Sequence, residues 1–501
     1  MPLLLVLFVA AACLPVPWPP PPFDLGPGGS AAATAAITLV PVLLAGWLSI
    51  ATIRTVTRTP DRRAVAVARY ARFRRLLGLG NMLAAGIAIV GLGWGHTVWQ
   101  TFTLTIPGQS RLVLAPAAEV LVPGPYFLAL FAAWAIYFPA DRTLHRTAGA
   151  DRAFWSLPGY VLFHARQFAL MVGLPLTLFV TQQTIARVAP EVADSVGFKA
   201  ASVLGMVVLF VLLPRAVKPL LGLQPLPPGP TRDRLEATAK RLHFRYTALL
   251  LWPTRGAVAN ALVLGIVPWA RYVIFTDRLL DSMDEYELDA VLGHEVGHAA
   301  HGHIPYYAGF LLASAAAGTA ATAAVDRAWS LDSWGGWAAL PPLGLMAVYL
   351  FVVFGALSRR CERQADVYGC RAGSCDDPQC RGHDPETVLA PAGGPVCPSG
   401  VRALVRALDH VAALNGMDGP PAGGSARRSV RQRAWAWVKA WQHGPISDRI
   451  EFLLQLSEDP SLADRTDRSA FRFRVGLMAT LLTAVAVLGS LVGWRELIRM
   501  L

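Results

Sequence analysis

The chain has 501 residues, 54% of them hydrophobic and only 16% charged, with a mean hydropathy of +0.43. Ordinary globular domains are about 25% charged, so this composition excludes a disordered chain, a coiled coil and a disulfide-dense secreted module and points to a polytopic membrane protein. The net charge of +12 is carried almost entirely by arginine, with Lys199, Lys218, Lys240 and Lys439 the only lysines; the placement of the basic residues fits membrane orientation better than a phosphate-binding stripe, and no nucleic-acid partner is expected.

Residues 1–30 are apolar and Pro-rich, a signal-like stretch or an extra span, with Cys13 in an apolar run. A helix crossing a ~30 Å hydrocarbon core needs roughly 20 apolar residues. Uncharged windows of about that size predict five helices in an N-terminal membrane domain, 31–220: Ala33–Ile53, Leu76–Trp99, Val120–Ala140, Gln167–Ala186 and the shorter Ala200–Pro214. Two more, Ile304–Val325 and Ser333–Ser358, make a transmembrane hairpin at 304–358, and Val475–Trp494 lies in a terminal membrane helix at 471–501. Between these spans lie two polar sections, 221–303 and 359–470.

Arginine and lysine in the short loops orient the chain. The 54–75 and 141–166 loops carry twelve such residues, against four in the alternate loops (Arg111, Arg187, Lys199 and Arg327). The first set is placed in the cytoplasm, and by alternation both polar sections are cytoplasmic. Together with an arginine-rich composition suggestive of a GC-rich genome, this predicts a multi-pass protein of a bacterial inner membrane whose chemistry faces the cytoplasm.

The first polar section contains His294-Glu295-Val296-Gly297-His298, an HExxH sequence. Ser282 and Glu285 predict a capping box ahead of it, and Leu288, Val291 and Leu292 have helical spacing. Residues four apart share a helix face, so His294 and His298 can hold one zinc ion while Glu295 reaches water on it. Gly293 and Gly297 lower helix propensity and read as concessions to close packing. A third histidine ten residues after the first is absent, since that position is Ile304; His301 and His303 read as polar helix-end residues. Beyond the hairpin, Glu362 and Asp366 share a face at i, i+4. Alone they read as a charged juxtamembrane helix; paired with HExxH, Glu362 reads as a third ligand and Asp366 as acceptor of a ligating imidazole's N–H.

HExxH, a membrane hairpin, then Ser358-Arg359-x-x-Glu362-x-x-Ala365-Asp366 resembles the integral-membrane gluzincin peptidases of the HtpX and CaaX prenyl-protein endopeptidase type. Asn260-Ala261, ahead of the run Arg271, Tyr272, Val273, Ile274, Phe275, Thr276, looks like that family's Asn-Ala motif and substrate-side strand, and His443 with Pro445-Ile446-Ser447-Asp448-Arg449-Ile450 looks like its late His-Pro…Arg-Ile motif, although Gly444 separates His443 from the proline. The resemblance covers roughly 232–457. It implies one catalytic zinc held by His294, His298 and Glu362, Glu295 as general base, Asp366 behind a ligand, and His443 and Arg449 stabilising the tetrahedral intermediate or bracing the site. The β-prone 271–276 run would be an edge strand to which an extended peptide adds.

The fold expected is mostly α: polytopic transmembrane helices with a cytoplasmic-face zincin-like catalytic domain containing a short β-sheet. The function expected is zinc-dependent endoproteolysis of membrane or membrane-associated proteins in contact with the lipid bilayer; a non-catalytic polytopic metal-binding scaffold is the alternative. Between the ligand helix and 401, Cys370, Cys375, Cys380 and Cys397, with His383, form a Gly/Pro/Asp-rich insert that could hold a second metal or free thiols. Gly419–Gly424 reads as a flexible break and 427–439 as a basic surface.

Overall fold

The structure is a computed structural model of the whole chain; it describes residues 2–495 and 497, apart from 15–16, 24, 106–111, 148–153, 330–339, 378–379, 381–388, 392–393 and 416–439. Arg111, His383 and the 419–439 stretch thus lie outside the described residues. The protein is a multi-pass membrane protein, mostly α-helical with two small sheets. Among the described residues, seven helices are long and apolar enough to cross a bilayer: Gly26–Arg58, Pro60–Gly91, Leu157–Val188, Val196–Leu221, His303–Ala328, Gly344–Ala372 and Leu462–Val492. Val120–Ala140 lies largely within a helix, Gly124–Thr147, whose last turns carry Asp141, Arg142 and Arg146; it is not among the seven. Residues Pro2–Ala12 form an 11-residue helix, which at 1.5 Å per residue covers roughly 16 Å and cannot cross the bilayer alone.

The chain divides into two compact units. One comprises Met1–Met206 with Trp329–Ala347. Within it Ala45, Leu48, Tyr70, Tyr137 and Ala140 form a core between helices Gly26–Arg58, Arg63–Gly86 and Gly124–Thr147. The 54–75 stretch, expected as a loop, is helical except for a tight turn at Thr59–Arg62, so its arginines sit on helix ends and faces. Arg74 points inward and pairs with Asp141 at 2.7 Å, where Tyr70 and Tyr160 also donate hydroxyls. A second charged pair, Arg187 with the fully buried Glu119 at 2.8 Å, ties another turn of this unit. A short hairpin, β1 (Thr103–Thr105) and β2 (Leu112–Leu114), completes it.

The other unit comprises Val207–Ala328 with Val348–Leu501. Its sheet has β3 (Gln224–Pro225), β4 (Ala248–Trp252), β5 (Ala261–Leu264) and β6 (Tyr272–Thr276) in the order β3-β4-β6-β5, with β4 parallel to β6 and β5 antiparallel to it. β6 is therefore interior and paired on both sides, and every one of its residues is buried. The expectation that 271–276 is an edge is corrected: a continuous apolar run belongs to a strand covered on both faces, and the free edge is β5. Arg271, just before the strand, is spent on the carbonyls of Gly265 and Ile266. Leu249, Phe275, Leu279, Leu288, Leu292 and Val296 join this sheet to the HExxH helix, Glu285–Ala300.

Candidate metal centre

The HExxH helix starts two residues later than the Ser282–Glu285 pair suggests. Ser282 is the last residue of the short helix Asp277–Ser282, so its backbone is already helical and cannot act as a cap. Asp284 is extended and takes that place: its carboxylate accepts the Glu287 N–H at 2.9 Å, while Glu287 accepts the Asp284 N–H at 3.1 Å. This reciprocal box satisfies two otherwise orphaned donors.

The helix lies directly against Gly355–Ala372, which carries Glu362 and Asp366. A Cβ on Gly293 would fall 2.2 Å from Cβ of Ala372 and 3.2 Å from Cα of Gly369; one on Gly297 would fall 2.8 Å from Cβ of Tyr368. Only glycine allows this approach, and the approach brings the ligand-type residues of both helices to one point.

There, one donor atom from each of His294, His298 and Glu362 lies within 4.8 Å of the others. His294 Nε2 and His298 Nε2 are 3.3 Å apart, and each is 3.7 Å from a Glu362 carboxylate oxygen. Zinc–nitrogen bonds of about 2.0–2.1 Å at a tetrahedral angle require a separation of about 3.3 Å, so the imidazole pair fits the ion. Glu362 Oε2 is buried with no hydrogen-bond partner, whereas Oε1 accepts from His443 Nδ1 at 2.8 Å. A buried carboxylate oxygen left unsatisfied is expected of a metal ligand.

The surrounding groups orient these donors. His294 Nδ1 lies 3.0 Å from Asp366 Oδ1. Arg449 grips both oxygens of Asp366 and sits 3.4 Å from Glu362. Glu295 accepts the backbone N–H of Val263, on the β5 edge, at 3.1 Å. Burial pushes the Glu295 carboxyl above the usual range. Burial, with His294 beside it, lowers His298 to about 4, leaving it neutral with a lone pair to donate at pH 7. Burial would also lower His294, but the Asp366 contact outweighs it and the net direction is upward. His443 is raised mainly by its bond to Glu362, and its side chain is 69% exposed, hence reachable from outside.

Sequence reasoning read His303 as a polar helix-end residue and did not anticipate its place behind a candidate ligand. His303 is completely buried; its Nδ1 lies 2.9 Å from His298 Nδ1 and its Nε2 lies 3.1 Å from Gln364 Oε1. The signal was Gly302: at φ +63° it ends the helix in the left-handed conformation and turns the chain so that the next helix opens with His303 beneath His298. His301 instead bonds the Gly297 carbonyl through Nδ1 at 2.9 Å and is not in the donor group. Of the cysteines, Cys375, Cys380 and Cys397 are brought together, and Cys370, buried on the Glu362 helix, is not part of that group.

Residues 232–383 match Peptidase family M48. The chain is 28% identical over 358 residues to a protein named Protease HtpX homolog from Pyrobaculum calidifontis, covering 68% of this chain and 99% of that one. It is 30% identical over 102 residues to CAAX prenyl protease 1 homolog of Arabidopsis thaliana, 20% of this chain and 24% of that one. Among solved structures, S. mikatae Ste24p is matched at 14% identity and a TM-score of 0.48, over 85% of this chain and 99% of that one.

Proposed function

We propose that the chain, whose residues 232–383 match Peptidase family M48 and which carries apolar helices long enough to span a bilayer, is a membrane-embedded zinc-dependent endopeptidase acting on membrane or membrane-associated proteins at the cytoplasmic face of a bacterial inner membrane. The observation that carries the reading is the convergence of His294, His298 and Glu362 donors within 4.8 Å beside Glu295.

His294 Nε2, His298 Nε2 and Glu362 would hold the ion, which when bound would supply Lewis acidity to the scissile carbonyl and to water. Asp366, 3.0 Å from His294 Nδ1, is the acceptor within reach of that nitrogen's proton and would favour the tautomer whose Nε2 lone pair faces the site. Arg449 braces Asp366 and Glu362; with its guanidinium committed to those carboxylates, it positions rather than touches substrate. Glu295 takes the proton of the attacking water and later gives it to the leaving amine. A peptide extended along β5, the free edge, brings its carbonyl beside Glu295, because Glu295 already bonds Val263 of that strand. His443, tethered to Glu362 and exposed, is placed to donate to the carbonyl oxygen as negative charge develops.

The orientation rests on the arginine asymmetry of the chain. The alternative, a metal-binding scaffold without catalysis, is disfavoured by Glu295, since a purely structural ion has no use for a base. Product mass spectrometry on membranes containing the wild type or Glu295→Gln decides between them: new peptide termini only with the wild type support the protease, and identical patterns refute it.

A further inference from the structure

The Cys-rich insert is not explained by proteolysis. Sulfur atoms of Cys375, Cys380 and Cys397 lie within 4.8 Å of one another, all three residues are buried, and none is in a disulfide. Among the described residues they form a cluster of their own with no aliphatic side chain in it, unlike cysteines that serve as small hydrophobes. Zinc–thiolate bonds of about 2.3 Å in a tetrahedron space sulfurs by about 3.8 Å, compatible with this separation.

The backbone at Cys397 directs a donor at its sulfur. Cys397 is the N-cap of the helix Pro398–Leu414, and its Sγ accepts the Gly400 N–H at 3.5 Å. The frame is tightly held. Ser374 Oγ donates to the Cys370 carbonyl at 2.7 Å and accepts the Cys397 N–H at 3.0 Å. Gly400 packs so closely that a Cβ would fall 2.3 Å from Ser374 Oγ. Cys375 bridges to Leu389, and Arg241 donates to the carbonyls of Ala372 and Ala390.

We propose that Cys375, Cys380 and Cys397 bind a second, structural divalent ion of the zinc type, separate from the HExxH centre. Each thiol gives up its proton to solvent as its sulfur joins the ion, and the three thiolates supply three of four tetrahedral donors. The ion joins the end of the Glu362 helix to the start of Pro398–Leu414. That second helix reaches the HExxH helix through Arg406 and His410, 3.3 Å and 3.1 Å from Glu287. It therefore clamps the two helices that carry the catalytic donors from the side away from substrate.

The test uses the full chain, purified in detergent with reductant. Elemental analysis should give about two zinc ions per wild-type chain and about one in Glu362→Ala. With Co²⁺ in place of zinc, thiolate-to-cobalt charge-transfer absorption should appear in both, since a His/His/Glu centre contributes none. Cys380→Ser and Cys397→Ser should lose that absorption. Should those variants not fold, the wild type still decides: its three cysteines should resist alkylation until a chelator strips the metal. No charge-transfer band in wild type and Glu362→Ala, or a disulfide between any two of the three in anaerobically purified protein, overturns the proposal. Loss of proteolysis in Glu362→Ala with the cobalt band retained separates this site from the catalytic one.

Discussion

His303 Nδ1 lies 2.9 Å from His298 Nδ1, so the imidazole nearest the end of the HExxH helix is held from behind by a second imidazole, itself anchored on Gln364. One of the two rings must donate and the other accept, and Gln364 Oε1, an acceptor, requires the proton on His303 Nε2. His303 Nδ1 is then the acceptor, His298 Nδ1 the donor, and His298 Nε2 carries the free lone pair. His303→Ala should weaken metal binding about 10–100-fold, the usual cost of losing a partner behind a ligand, measured by competition with a chromogenic chelator. His303→Asn, which keeps an acceptor, should recover part of the loss. Unchanged affinity in His303→Ala would remove this residue from the site.

Glu362→Ala should lose most of the catalytic metal, and His301→Ala should keep it, because His301 turns to the Gly297 carbonyl and to Asp467 and lies outside the donor group. Asp366→Asn should fall between, by about 10–100-fold in affinity or activity. Full catalytic metal in Glu362→Ala would mean that the donors are not assembled across the two helices.

Glu295→Gln should retain zinc while cleavage falls about 10²–10⁴-fold, the typical worth of a general base. The amide has the carboxylate's size but cannot take the proton. Normal turnover by purified variant would rule out this role.

Gly293→Ala should destabilise the protein by about 1–3 kcal/mol, because the new methyl meets Ala372 Cβ at 2.2 Å with backbone behind it. Thermal unfolding in detergent should show the loss, and metal affinity should fall with it as the two helices separate. Gly302→Ala should also cost stability, through its φ of +63° rather than through contact. An undisturbed melting curve in Gly293→Ala would contradict the close packing.

Ser282→Cys places a thiol on an exposed surface next to the start of the HExxH helix. If that face is cytoplasmic, a membrane-impermeant maleimide added to intact cells should leave it unlabelled, and permeabilisation should expose it. Rapid labelling in intact cells would reverse the orientation.

Much of the site could be read in advance because its signals are local. HExxH and Glu362-x-x-x-Asp366 each express a helical repeat, and the two glycines announced a close neighbour. What stayed hidden depends on pairing distant in sequence. Tyr272–Thr276 has strand composition, but nothing in those residues says that β4 covers the side a peptide would need. The cap moved from Ser282 to Asp284 because a short helix, Asp277–Ser282, had already claimed the serine. His303 looked like a helix-end residue, and it is one; only the turn at Gly302 reveals that its ring is buried. The cysteine spacing matched no familiar pattern, since the three sulfurs are gathered by Ser374 and the Pro398 helix start rather than by a short repeat.

The Val263 amide that bonds Glu295 belongs to the outermost strand of the sheet, β5, on the side not paired with β6. Bare rims are hazardous, because a row of unpaired amides recruits any passing strand, from a misfolded neighbour as readily as from a substrate. Here one rung is already taken by a side chain. A stray segment must evict that carboxylate and leave it buried without its donor, whereas a peptide poised for hydrolysis engages the carboxylate through its water. The residue proposed as general base would thereby also screen what is allowed to lie down along the strand.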